Sequence, residues 1–360
     1  MTLSKITDYL SSIGCTFPEI GLLQPADPFL DTTGEDLRRR IFITQENSGS
    51  MLCLRPEFTV PVCLAHIESG KDPTQYAYGG SVFRQRKKEA AEFTQAGFED
   101  LGSTEKPKAD VECIKTALST LDAAGAGEAK LVLGDQSIFV TLLDALEIPA
   151  AWRKKLVRSF GDSKLLKLQI ATMSESGGSD LGELPETVRI ALESGDPDKV
   201  VQAVSEQMLA DGLPLTGGRT PAAIAGRIME KAELGATRLC QEKRAALESF
   251  LEMEVSLDKA ANAIAAFENA HDLKLSGAGD ILNALQAGLS AQSLSATYRA
   301  SFGRRLDYYT GLVFEIYGQD QEKPIVGGGR YDHLMTLLGA ATEIPAVGFA
   351  VWVDRIGGGK

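Results

Sequence analysis

Metal-binding and disulfide chemistry find little material in this sequence. It has three histidines, His66, His271 and His333, and five cysteines, Cys15, Cys53, Cys63, Cys113 and Cys240. The cysteine count is odd, no C-x-x-C pair occurs, and no histidine stands at a ligand spacing from a cysteine. Reduced thiols, no metal and no cofactor are the expectation. Long apolar runs are also missing, so nothing in the sequence is long enough to span a bilayer, and residues 1–10 lack the basic, apolar, small-residue progression of a secretory signal. The expected compartment is the cytoplasm, with no membrane as partner. Long acidic or basic blocks are absent too. The net charge of -12 is spread along the chain, which argues against a surface built for a phosphate backbone.

What is present suits a globular protein. The 360 residues are 44% hydrophobic and 24% charged, enough for one large domain or two ordinary ones. Residues 1–13 read as an amphipathic helix, with Leu3, Ile6, Leu10 and Ile13 at helical spacing and Gly14 as its stop. A short extended piece, Leu22 to Pro25, precedes the basic triplet Arg38-Arg39-Arg40, which reads as a solvated, salt-bridged face in preference to a phosphate site. The strand candidates Ile41 to Thr44 and Met51 to Leu54 follow, the second running into Pro56 and a helix over Val60 to Ile67. Glu57 and Thr59 therefore stand at a strand-to-helix junction, where they either face a ligand or cap the helix. Extended segments at Tyr76 to Phe83 and Phe93 to Glu99 flank a polar loop, Arg84 to Glu92. Gln95, Gly97 and Glu99 share one strand face, an odd face for a core but a sensible one for a cleft, where glycine clears space. Lys108 to Ala123 reads as a helix and Lys130 to Gly134 as a buried strand.

From Gln136 to Ala296 alanine, leucine, lysine and glutamate dominate, and helix starts become legible at Asp196-Pro197 and Thr220-Pro221. Gly177-Gly178 and Gly217-Gly218 are plausible joints. This stretch shows no catalytic motif and reads as helical packing plus a partner surface. The densest chemistry comes later, at Arg304 to Glu315, where an arginine, an aspartate and two tyrosines precede a strand over Leu312 to Tyr317. Such a cluster suits a small zwitterion. The glycine run at Val326 to Asp332 lacks the spacing of a P-loop and, taken alone, reads as a tight turn.

Five segments in this order resemble the catalytic core of class II aminoacyl-tRNA synthetases, and among these histidyl-tRNA synthetase. They are LRPE-x-T at Leu54–Thr59, FRQR at Phe83–Arg86 with EFTQAGFE at Glu92–Glu99, RLDYYTG-x-VFE, GGGRYD at Gly327–Asp332, and GFA-x-x-x-DR at Gly348–Arg355. The resemblance covers residues 10–135 and 298–356. It implies an α+β fold, a mixed and mainly antiparallel sheet flanked by helices. Residues 1–135 plus 297–360 would form that core, and 136–296 a mainly helical insertion. By the same resemblance Glu57 and Thr59 hold the amino group of a bound histidine, Gln95 and Glu99 line its pocket, and Tyr308 and Tyr309 face the imidazole. Arg84 and Arg304 stand where the synthetase stabilises the carboxylate and the α-phosphate. Residue chemistry agrees, since a carboxylate suits an ammonium and a guanidinium fork suits a carboxylate or phosphate.

The departures from that family concern the nucleotide. Arg86 stands where the synthetase has an adenine-contacting glutamate, and the shortened loop carries Lys87 to Glu92 in place of a glycine- and arginine-containing run. Trp352 and Asp354 replace a small residue and a glutamate, and Phe58 and Arg305 replace glycines. The indole is expected to fill nucleotide space. The sequence also stops soon after Arg355, where an anticodon-binding domain would follow. This combination resembles the family of ATP phosphoribosyltransferase regulatory subunits, synthetase paralogues of histidine biosynthesis. It implies a chain without catalysis of its own, a short-form catalytic subunit as partner, and L-histidine as ligand and feedback signal. It also implies a homodimer within a hetero-octamer, with no tRNA. The alternatives are a truncated synthetase still forming histidyl-adenylate and a histidine-sensing module of another complex.

Overall fold

The computed structural model describes residues 2–70, 73–87, 89–175, 184–213, 219–236, 238–292, 294–304, 306, 308–318 and 322–356. The joints Gly177-Gly178 and Gly217-Gly218, Lys88 of the polar loop, and Arg305 and Asp307 lie outside the described residues. The chain divides into two units, one of Met1–Ala145, Phe160–Asp162 and Ser249–Lys360, the other of Leu146–Ser159 and Ser163–Glu248. The stretch 136–296 is thus shared between them, because the helices Gln136–Ala145, Leu257–His271 and Ala278–Leu289 remain with the first unit.

The first unit is built on two sheets. The smaller joins β1 (Leu23–Pro25), β2 (Ile43–Gln45) and β3 (Met51–Leu54), with β3 central and both pairings antiparallel. The larger contains β4 (Thr74–Phe83), β5 (Glu92–Leu101), β6 (Ala129–Asp135), β7 (Glu254–Ser256), β8 (Ser295–Arg299), β9 (Leu312–Gly318), β10 (Val326–Arg330) and β11 (Ala346–Trp352). Their order is β4-β5-β11-β10-β9-β6-β8-β7, antiparallel throughout except for the parallel pair β6 and β8. The helices Thr2–Ser12, with Ile6 and Leu10 buried, and Lys106–Ala124 belong to the same unit. Stacked Phe98 and Phe349, ring centroids 5.7 Å apart, tie β5 to β11 at the core.

In the second unit Val188, Val200, Val204, Met208 and Ala225 form a separate apolar cluster. Asp196 caps the helix Pro197–Ala210 by accepting from the amide of Asp198 at 3.1 Å, and Thr220 accepts from the amide of Ala223 at 3.2 Å ahead of Pro221–Ala236. Both helix starts follow the sequence signal.

The glycine run departs from expectation. Val326–Arg330 forms a fully buried central strand, not a turn. The reason is space. A Cβ on Gly327 would stand 2.6 Å from the guanidinium carbon of Arg304, and one on Gly348 of the adjacent β11 would fall 1.6 Å from a carboxylate oxygen of Glu99. Strand glycines here make room for charged side chains inside the sheet.

Substituting Gly348→Ala is therefore expected to lower the unfolding free energy by about 1–3 kcal/mol through overpacking. Gly279→Ala, in the helix Ala278–Leu289 with open space around it, should be neutral or stabilising. Urea midpoints of the two variants check the contrast.

Candidate functional site

The site grows from the turn after β3. Arg55 donates from Nη1 to the carbonyl of Ile20 at 2.7 Å and from Nη2 to that of Ser81 at 2.8 Å, and its guanidinium lies 3.8 Å from the ring centroid of Phe58. Phe58 in turn stacks on Tyr78 at 4.5 Å. Between the clamped residues Arg55 and Phe58 stands Glu57, whose carboxylate accepts from the backbone amides of Thr59 at 2.6 Å and Val60 at 3.0 Å. Those amides open the helix Thr59–Ser69. The capping reading and the site reading of Glu57 thus coincide, since the same carboxylate caps the helix and lines the cavity.

Strand β5 supplies Gln95 and Glu99 from one face, with Gly97 between them leaving room for the Tyr78 hydroxyl. Glu99 accepts from Thr59 Oγ1 at 2.7 Å, from Tyr78 Oη at 3.3 Å, and from Tyr331 Oη. Burial nevertheless dominates, raising the Glu99 carboxyl to about pKa 8 despite the hydroxyls of Tyr331 and Thr59. Burial raises Glu57 as well, against the helix amides and Arg84. Gln95 Oε1 is buried and has no hydrogen-bond partner, which makes it a stranded acceptor.

The cations come from two directions. Arg84, after β4, donates from Nε to the carbonyl of Pro56 at 2.6 Å, and burial lowers its pKa to about 10 although Glu57 pulls the other way. Arg304 donates from Nη1 to Tyr309 Oη at 2.8 Å and pairs through Nε with Glu315 at 3.3 Å. Tyr308 and Tyr309 pack at 5.1 Å.

Glu57, Thr59, Arg84, Gln95, Glu99, Arg304, Tyr308 and Tyr309 all line one cavity. The space between its atoms is about 470 Å³, open solvent included, of which about 40 Å³ admits the centre of a water molecule. That is room for a few waters. Sequence reasoning gave Tyr78 and Tyr331 no role, although both hydroxyls hold Glu99. In the GGGRYD motif Gly327 and the tyrosine line the cavity. Its arginine, Arg330, pairs with Asp110 at 2.7 Å and Asp332 at 2.8 Å in a buried ion cluster.

Trp352, buried, stands in a wall common to the small cavity and to a second, larger one, which offers about 970 Å³ to the centre of a water molecule against about 40 Å³ in the first and which Arg84 also borders. Arg39 and Arg40 line the larger cavity, Arg40 paired with Asp36 at 2.8 Å.

With this geometry in place, known proteins offer a comparison. The family model described as Histidyl-tRNA synthetase matches residues 2–210 and 222–356. The ATP phosphoribosyltransferase regulatory subunit of Brucella anthropi is 46% identical over 345 residues, 94% of this chain and 91% of that protein. Its namesake from Mesorhizobium japonicum is 47% identical over 358 residues, 98% and 95% of the two chains. Among solved structures, an ATP phosphoribosyltransferase regulatory subunit/histidyl-tRNA synthetase from Bacillus halodurans superposes with a TM-score of 0.62 at 19% identity, covering 99% of this chain and 77% of that one. Histidyl-tRNA synthetase from Nostoc gives 0.63 at 16% identity, covering 98% and 69%. These two likenesses establish the class II synthetase fold, α+β, for this chain.

Glu99 gives a pH prediction. Its folded pKa of about 8 lies above the unfolded value of about 4.3, so the folded state holds the proton more tightly. The resulting stability is fully present below the unfolded pKa and is lost as pH rises through about 8. Urea midpoints of the wild-type chain should carry this falling component from weakly acidic to mildly alkaline pH, and Glu99→Gln should lose it.

Proposed function

Because the chain belongs to the family of ATP phosphoribosyltransferase regulatory subunits, on a histidyl-tRNA synthetase fold, we propose that its synthetase-like cavity binds L-histidine and passes that signal to a catalytic partner. The observation that carries this reading is the stranded acceptor Gln95 Oε1, buried in a cavity that also holds Glu57, Glu99 and Arg304. Acceptors and guanidinium groups lining one cavity suit the ammonium and the carboxylate of one small zwitterion. The two tyrosines supply flat walls for an imidazole.

The closed state of the cavity belongs to the same proposal. About 40 Å³ of water-accessible space holds a few waters, not an amino acid. Histidine therefore enters by moving a wall, and a ligand that binds the opened form shifts the population toward it. Feedback needs that differential affinity between two states. The partner in this account is the short-form catalytic subunit in the cytoplasm, met by a homodimer of this chain within a hetero-octamer. The net charge of -12 supports a role without tRNA.

Isothermal titration of the purified chain should give saturable histidine binding, with affinity rising between pH 6.5 and 8.5 as Glu99 becomes able to ionise beside an ammonium. Gln95→Leu should weaken binding about tenfold or more. Absence of binding by the wild-type chain would remove the sensor half of the proposal. Histidine-dependent pyrophosphate exchange at a synthetase's rate would instead favour an enzyme forming histidyl-adenylate.

A further inference from the structure

The walls of the smaller cavity are held unequally. Gln95, Glu99 and Gly348 lie on β5 and β11, and Gly327 on β10, strands that each have a hydrogen-bonded neighbour on both sides. Thr59 donates to Glu99, Arg84 to the carbonyl of Pro56, and the ring of Tyr308 packs on those of Tyr309 at 5.1 Å and Tyr331 at 5.7 Å. Leu37 is carried differently. It sits on the one-turn helix Glu35–Arg38 and lines the same cavity, only 5% exposed.

The backbone bonds of that turn close on the turn itself. Leu37 and Arg38 both donate from their amides to the carbonyl of Gly34 at 3.1 Å, and Arg40 donates to that of Leu37 at 2.9 Å. The segment is pinned at its two ends. Before it, Thr33 donates to the carbonyl of Phe29 through its amide at 3.1 Å and its hydroxyl at 2.5 Å. After it, the carbonyl of Arg40 accepts from the amide of Gln85 at 2.8 Å. Gly34 separates this turn from the helix Asp27–Thr32 and supplies a joint without a Cβ. Arg38 also donates to the carbonyl of Leu30. One helical turn has little stability of its own, so burial of Leu37 is a main part of its hold on the cavity. Asp36 and Arg39, exposed on the same turn, line the larger cavity together with Arg40.

We propose that the helix Glu35–Arg38 is the wall that moves, with Leu37 as a plug standing in the space of the amino acid. Histidine displaces it as residues 34–40 swing about Gly34 and Arg40. This rests on the histidine reading of the cavity. Withdrawing one buried leucine disfavours the open form by roughly ten- to hundredfold. The open form is then roughly 1–10% of the population, and the affinity for histidine is reduced by that fraction. The displacement also has an outlet. Asp36, Arg39 and Arg40 ride on the segment, so occupancy by one amino acid becomes a shift of charged side chains bordering the larger cavity.

The test is isothermal titration of the full chain with histidine, in the wild type, Leu37→Ala and Leu37→Met, paired with amide hydrogen exchange over residues 34–41. Leu37→Ala removes most of the plug and is expected to bind histidine about tenfold more tightly. Leu37→Met keeps the volume and should bind within about threefold of the wild type. Saturating histidine should speed exchange at the Leu37 and Arg38 amides of the wild-type chain. Thermal unfolding checks that each variant folds, and the exchange measurement on the wild type stands whether or not they do. A merely weakened fold would not bind more tightly. The inference is overturned if Leu37→Ala binds as the wild type does or more weakly. It is also overturned if histidine slows exchange at Leu37 and Arg38, which would make the segment a cover closing on the ligand. Failure of all three chains to bind histidine would remove the histidine reading itself, and the moving wall with it.

Discussion

Glu99 lies buried on β5, the strand next to the edge strand β4 of an eight-stranded sheet, and its placement constrains much of the surrounding structure. A carboxyl in that position is tolerated because Thr59, Tyr78 and Tyr331 each direct a hydroxyl to it. It fits because Gly348 on the neighbouring strand has no Cβ, and because Gly97 yields to the tyrosine that reaches it. Thr59 reaches it because Glu57 caps the helix that Thr59 begins. Loss of the Tyr331 hydroxyl, which donates to Glu99 Oε2, would leave that buried oxygen without it, at a cost of roughly 1–3 kcal/mol. The same arrangement that secures the carboxyl leaves Gln95 Oε1 unsatisfied beside it. A core organised only for stability would not retain that acceptor.

The fold was largely legible where side-chain periodicity speaks. The helix over Thr2–Ser12, the paired strands β4 and β5, and the alternation of β9 all follow from spacing. Glycine strands carry no such pattern. Val326–Arg330 looked like a turn because its role depends on Arg304 and Phe314, which reach it across the sheet. The same limit explains the site. The eight residues carried by motif resemblance meet in one cavity, whereas Tyr78 and Tyr331 matter through a hydrogen bond to Glu99 that no local spacing reveals. Trp352 lies in a wall common to two cavities, held against Arg355 and Arg304, contacts that no local spacing reveals either.

These features describe a synthetase fold with two unlike cavities. In the smaller, carboxylates, a stranded amide and an anchored arginine stand together. Along the larger, Arg86 occupies the phenylalanine face and Arg355 lies against the indole. That division fits a regulatory subunit, whose task is to convert occupancy into a change in a catalytic partner.

The central claim is that the cavity around Glu99 and Gln95 reports histidine to the catalytic subunit. The most direct measurement is the rate of phosphoribosyl transfer by the short-form catalytic subunit, alone and with this chain, as histidine is titrated. The account predicts stimulation by the chain and its suppression by histidine. With Gln95→Leu, stimulation should persist while the histidine response shifts to concentrations about tenfold higher or more. A chain that fails to stimulate the catalytic subunit, or a histidine response unchanged by Gln95→Leu, would contradict it.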